Sequence, residues 1–141
     1  MRTCEEVIGP YSQKLFRPPY GNQNFWLRLD ALRLGYYVIA WNVVGTDWLD
    51  DSANTIFDRL SDGIKPGAIL LLHDALFTTK SERFIPREAT LEAVLLLLEK
   101  YGQIYRFVNV PELLCCGRPK KTWWHKPGDA NWLVSLRRTQ V

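Results

Sequence analysis

Histidine is scarce in this sequence: His73 and His125 are its only two. The cysteines are Cys4, Cys115 and Cys116, and no two of them form a Cys-x-x-Cys pair. Structural zinc sites draw on such clusters, so none is expected. Adjacent cysteines rarely bridge each other and an odd count makes no disulfide framework, which leaves free thiols packed as small hydrophobes. The apolar run from Ala68 to Leu72 is far too short to cross a bilayer. The first residues, Met1 to Glu6, lack the apolar stretch of a secretory leader. The expectation is a soluble chain that is not exported and has no membrane partner.

What is present suits a folded domain. Hydrophobic residues make up 47% of the 141 residues, enough for a core and too many for global disorder. The net charge of +3 is uneven: residues 117–141 hold Arg118, Lys120, Lys121, Lys126, Arg137 and Arg138 against Asp129 alone. A solvated basic tail explains this more simply than a nucleic-acid site, so nucleic acid is not the expected partner. Pro119, Pro127 and Gly128 break that stretch, and Trp123, Trp124 and Trp132 punctuate it. It reads as an appendage, residues 117–141, to a domain of residues 1–116.

Short apolar runs alternate with amphipathic ones, the pattern of β/α units. Leu15–Arg17 reads as a strand ending in the turn Pro18-Pro19-Tyr20-Gly21. Residues 23–34 read as a helix with Phe25, Trp26, Leu29 and Leu32 on one face, ended by Gly35. A strand follows over Tyr37–Trp41, then a polar loop over residues 45–51. Asp51 or Ser52 caps a helix carrying Ile56, Phe57 and Leu60. After the turn Lys65-Pro66-Gly67, Ala68–Leu72 is apolar without alternation, as in a parallel strand covered on both faces. Residues 75–86 form a polar loop. A helix over residues 87–101 has Leu91, Val94, Leu95 and Leu98 inward and closes at Gly102. Tyr105–Val108 is a last strand, and Pro111 begins a short helix.

Three polar clusters each follow a strand: Arg17 to Gly21, Asp47-Trp48, and His73-Asp74. Parallel β/α folds gather catalytic groups at the C-terminal ends of strands. Singly, each has a plainer explanation: a surface arginine, a rigid turn, a loop-stabilising aspartate, a core tryptophan or a buried histidine with its hydrogen bond made. Their common placement points to a site.

In order, Phe-Arg-Pro-Pro-Tyr-Gly (16–21), Trp-Asn-Val-Val-Gly-Thr-Asp-Trp (41–48) and Lys-Pro-Gly-Ala-Ile-Leu-Leu-Leu-His-Asp (65–74) resemble motifs of the polysaccharide deacetylases, the NodB-homology or carbohydrate esterase family 4 type. The likeness runs from about Cys4 to Leu114 and covers the C-terminal portion of that domain. It implies an α/β fold that is part of an irregular β/α barrel with parallel strands. It implies hydrolysis of acetyl groups, mainly N-acetyl amides, on an acetylated glycan such as chitin or peptidoglycan. In such enzymes a divalent metal, zinc or similar, activates a water. By resemblance His73 would protonate the leaving amine, a task suited to a side chain that ordinarily titrates near neutrality. Asp47 would orient His73, and Arg17 would hold the catalytic aspartate. The Tyr20 backbone N–H would donate to the oxyanion. Leu71 would line the pocket for the acetyl methyl, and Trp48 would flank the sugar groove.

The family's Thr-Phe-Asp-Asp and His-x-x-x-His motifs precede its Arg-Pro-Pro-Tyr motif. Here the residues before Arg17 include no His and no Asp, and Val44 stands where the family often has the first Asp of Asp-x-x-Asp-Trp. The expectation is a truncated product, a fragment of a longer reading frame, or a chain that pairs with another. No metal is expected on this chain alone, which would be inactive by itself, or else a non-catalytic carbohydrate-binding remnant. Half a barrel would also leave an unpaired sheet edge, a route to self-association.

Overall fold

The computed structural model of the chain describes residues 2–49, 52–76 and 82–121. The described residues divide into two compact units, residues 2–40 with 118–121, and Trp41–Gly117. Asp51, part of the 75–86 loop, and the tail residues Trp123, Trp124, His125 and Trp132 lie outside the described residues.

In the first unit, helix α1 (Arg2–Ile8) leads through a 3-10 turn to strand β1 (Leu15–Phe16). A second 3-10 turn, Pro19–Gly21, precedes helix α2 (Phe25–Arg33) and strand β2 (Tyr37–Val38). The strands pair in parallel, Leu15 with Tyr37 and Phe16 with Val38. Asn24 starts α2 by accepting from the Leu27 N–H at 2.8 Å. Gly35, at φ +74°, supplies the left-handed backbone that ends it. The inward face differs from the sequence expectation. Phe25, Trp26 and Leu32 are exposed, and the buried residue is Ala31. The end of α2 folds back on itself through Gly35: its N–H bonds the Leu32 carbonyl at 3.0 Å, and the Tyr36 N–H bonds the Ala31 carbonyl at 2.8 Å. Tyr36 also donates to Glu5 at 3.1 Å, and Lys14 pairs with Glu5.

The second unit contains strand β3 (Val43–Val44), helix α3 (Ala53–Gly63), strand β4 (Leu70–Leu71), a 3-10 turn (Glu82–Phe84), helix α4 (Glu88–Tyr101) and helix α5 (Val110–Cys115). β3 and β4 run parallel, Val43 beside Leu70 and Val44 beside Leu71. Ser52 caps α3 through the Thr55 N–H. Ala53, Ile56 and Leu60 fall on one face of α3 and join Val43, Ala93 and Leu97 in the core. Leu70 and Leu72 pack against this cluster and Leu71 does not belong to it, the two-residue alternation of a strand. Just after β3 the backbone runs tight: a Cβ at Gly45 would meet the Leu72 side chain at 2.7 Å.

Two expectations need correction. α4 buries Thr90, Ala93 and Leu97, whereas Leu91, Leu95 and Leu98 are exposed. Val94 is half-buried. The unbroken leucines 95–98 carry no phase of their own, and Ala93 and Leu97 are the α4 residues that join Ala53, Ile56 and Leu60 of α3 in the core. Residues 105–108 are irregular, with Tyr105 stacked on Tyr101 at 6.0 Å between ring centres instead of lying in a sheet. β-propensity expresses fit to a pleated surface, and no ladder partner meets this segment among the described residues. Asn109 instead caps α5, and Pro111 lies in its first turn. Among the described residues no helix is long and apolar enough to cross a membrane.

Candidate active site

The parallel pairing of β3 and β4 decides which loops meet. Both strands end on the same side, so the segment after Val44 lies beside the segment after Leu71. Thr46, at φ +52°, turns the chain sharply and sets Asp47 inward. Asp47 is wholly buried, and His73 keeps 35% of its side chain exposed.

A buried carboxylate is stable only when its lone pairs are occupied. Asp47 Oδ1 accepts from His73 Nδ1 at 2.9 Å, and Oδ2 accepts from the His73 backbone N–H at 2.9 Å. Oδ2 also accepts from Arg87 Nη1 at 3.1 Å. An ionised carboxylate can only accept, so the His73 proton facing it sits on Nδ1. That leaves Nε2 as the nitrogen able to exchange a proton with something outside. Trp48 meets His73 edge-on, ring centres 5.1 Å apart and planes at 87°, and restricts the imidazole from the side. The assembly is an oriented acid–base group: a half-exposed imidazole, fixed by a buried carboxylate and an aromatic wall.

Asp47, His73 and Trp48 are thus brought together as the sequence suggested. Leu71 is buried on β4, two residues before His73. Arg17 and Tyr20 belong to the first unit, and both are exposed. Tyr20 has φ +54° within its 3-10 turn, an unusual conformation for a residue with a Cβ. It borders a hollow of about 440 Å³ lined also by Pro19, Asn22, Gln23, Asn24 and Leu27. Sequence reasoning missed Arg87. It is one of 18 Lys and Arg residues, it lies 40 positions from Asp47, and it fits no motif.

Comparison with known proteins supplies the family. No protein-family model matches the chain. A peptidoglycan-N-acetylglucosamine deacetylase of Listeria monocytogenes is 33% identical over 103 residues, which is 73% of this chain and 19% of that protein. The structure of the peptidoglycan deacetylase PdaC from Bacillus subtilis, as a point mutant, superposes with a TM-score of 0.63 at 26% identity, over 96% of this chain and 55% of that one. The chain matches part of a polysaccharide deacetylase domain. The structure of a carbohydrate esterase family 4 pseudoenzyme from Bacillus anthracis superposes with a TM-score of 0.58 at 29% identity, over 71% of this chain and 32% of that one. Matches to the curated deacetylases take in between 12% and 45% of those proteins' own lengths.

A polysaccharide deacetylase of this family would be expected to hold a divalent metal, and the residues described here do not fit one. Among them no group of three or more His, Cys, Asp or Glu could hold an ion. Asp47 already accepts three hydrogen bonds, and His73 Nδ1 faces Asp47.

Proposed function

We propose that this chain carries the acid side of a polysaccharide deacetylase centre, within the C-terminal part of a NodB-like β/α barrel. Residues 1–116 are that portion and 117–141 an appendage. The substrate class is an N-acetylated glycan. As the acetamide C–N bond breaks, His73 Nε2 gives its proton to the departing sugar nitrogen, and Asp47 keeps the other ring nitrogen engaged. Trp48 offers a flat apolar flank to the sugar ring. Leu71 faces the acetyl methyl. In the first unit, taken by itself, Arg17 and the Tyr20 N–H keep the roles the resemblance implies, toward the family's catalytic aspartate, which the described residues do not supply, and toward an oxyanion. The attacking water, its base and the metal are not supplied by the described residues. The observation that carries the reading is the 2.9 Å bond between His73 Nδ1 and the fully buried Asp47.

A second reading, a carbohydrate-binding remnant, is favoured by the similarity to a family pseudoenzyme. One experiment separates the two. Chitooligosaccharide is titrated into the 15N-labelled chain, with its fully deacetylated counterpart as control, and acetate is assayed in parallel. The expected result is saturable binding of the N-acetylated oligomer that shifts the His73 ring signals, is lost in Trp48→Ala, and releases no acetate. Binding that leaves His73 unshifted supports the remnant. Failure to bind either oligomer overturns both readings. Acetate release with stoichiometric zinc, cobalt or nickel would show that this chain completes the centre by itself.

A further inference from the structure

We infer that Arg87 is the positioning residue that locks the Asp47–His73 pair into one orientation and one tautomer. The inference rests on the acid-side reading above and assigns a role to a residue outside the motifs that led to it. The guanidinium is 13% exposed and every one of its nitrogens is engaged. Nη1 donates to Asp47 Oδ2 at 3.1 Å, and Nη2 donates to the Asp47 backbone carbonyl at 3.1 Å. Nη2 also donates to the Phe84 carbonyl, and Nε donates to the Pro86 carbonyl at 3.0 Å.

Two features separate this from a neutralising ion pair. First, the fork grips the side chain and the main chain of the same residue, so Asp47 can neither rotate about its side-chain bonds nor shift its backbone without breaking a contact. A rigid planar donor set can do this, and a lysine ammonium cannot reproduce it. Second, the grip falls on Oδ2, which leaves Oδ1 to His73 Nδ1. Were the carboxylate free to turn, the imidazole could adopt either tautomer and Nε2 would lose its fixed outward aim. The Phe84 and Pro86 bonds set the arginine itself, tying the return from β4 to α4 to the loop after β3. Arg87 need touch no substrate. It acts through Asp47, one step behind the histidine.

The test uses the full chain without substrate, so its failure is distinguishable from failure of the deacetylase reading. Imidazole 15N spectra of the unsubstituted chain should show His73 as a single Nδ1–H tautomer. Arg87→Lys keeps the charge and loses the fork. It should retain native amide dispersion while His73 falls to the mixture of tautomers of an unrestrained imidazole. A folded Arg87→Lys chain with the unsubstituted tautomer pattern overturns the inference. Should that variant not fold, the guanidinium signals of the unsubstituted chain decide. Slowly exchanging Arg87 Nη–H resonances that show through-space contacts to Asp47 support the lock. Signals averaged by free rotation, as for exposed arginines, overturn it.

Discussion

At the scale of single residues, the centre depends on how one buried charge is partnered. Asp47 is completely removed from solvent, and Arg87 is nearly so. Removing one member of such a pair leaves the other buried and unmatched, at a cost of about 3–5 kcal/mol. Asp47→Ala is therefore expected to lower unfolding stability by about that much in urea denaturation, beyond any effect on glycan binding. Asp47→Asn keeps a carbonyl acceptor and should cost less, about 1–3 kcal/mol. Equal losses for the two variants would show that the charge is not what the surroundings are built around. Asp47, Trp48 and His73 were legible because they stand in a recognisable order after apolar segments. Arg87 was not, because its meaning lies in contacts with Asp47 and with the Phe84 and Pro86 carbonyls, and folding, not spacing, brings these together.

At the scale of elements, α4 shows where periodicity stops being informative. A run of four leucines satisfies several helical faces at once, and the face used is the one that places Ala93 and Leu97 in the core with α3. Ends were easier to read: Ser52, one of the two caps expected for α3, does cap it, and Pro111 lies in the first turn of α5. Asn24 and Asn109 cap as well, because a side-chain acceptor before a helix meets a local need for hydrogen bonds. β1 and β4 lie within their expected strands, whereas the single strand expected over Tyr37–Trp41 is two, β2 at Tyr37–Val38 and β3 at Val43–Val44, the second beyond the expected range. Each ladder is two residues long, since a strand is registered only where a neighbour pairs with it. The expected strand at 105–108 shows the same limit. α4 also carries an imperfection. The Thr90 hydroxyl is buried and has no hydrogen-bond partner among the described residues. Thr90→Val keeps the shape and removes the unmatched group, so stability should rise by about 1 kcal/mol, measured as a higher urea midpoint. A lower midpoint would mean that the hydroxyl is satisfied in solution.

At the scale of the whole molecule, the second unit has a small core, with two alanines among its six buried members. Small domains bury a modest fraction of their surface and retain only a few kcal/mol of net stability. Leu60, fully buried at its centre, should therefore be indispensable. Leu60→Ala costs about 2–5 kcal/mol, enough to unfold this unit, with collapse of the amide dispersion of α3 and α4 as the readout. Retention of native spectra would reveal more reserve than this core suggests. The α/β class and the parallel strands could be read in advance, as could the end of β3 and β4 at which Asp47 and His73 meet. The shielding of Asp47 behind a partly open His73 has a consequence for reactivity toward small reagents. Carbodiimide should label exposed Asp74 and pass over Asp47, whereas diethyl pyrocarbonate should reach His73. The pair then exchanges with its surroundings through a single nitrogen, so a proton lost at that atom is replaced through the open side of the imidazole.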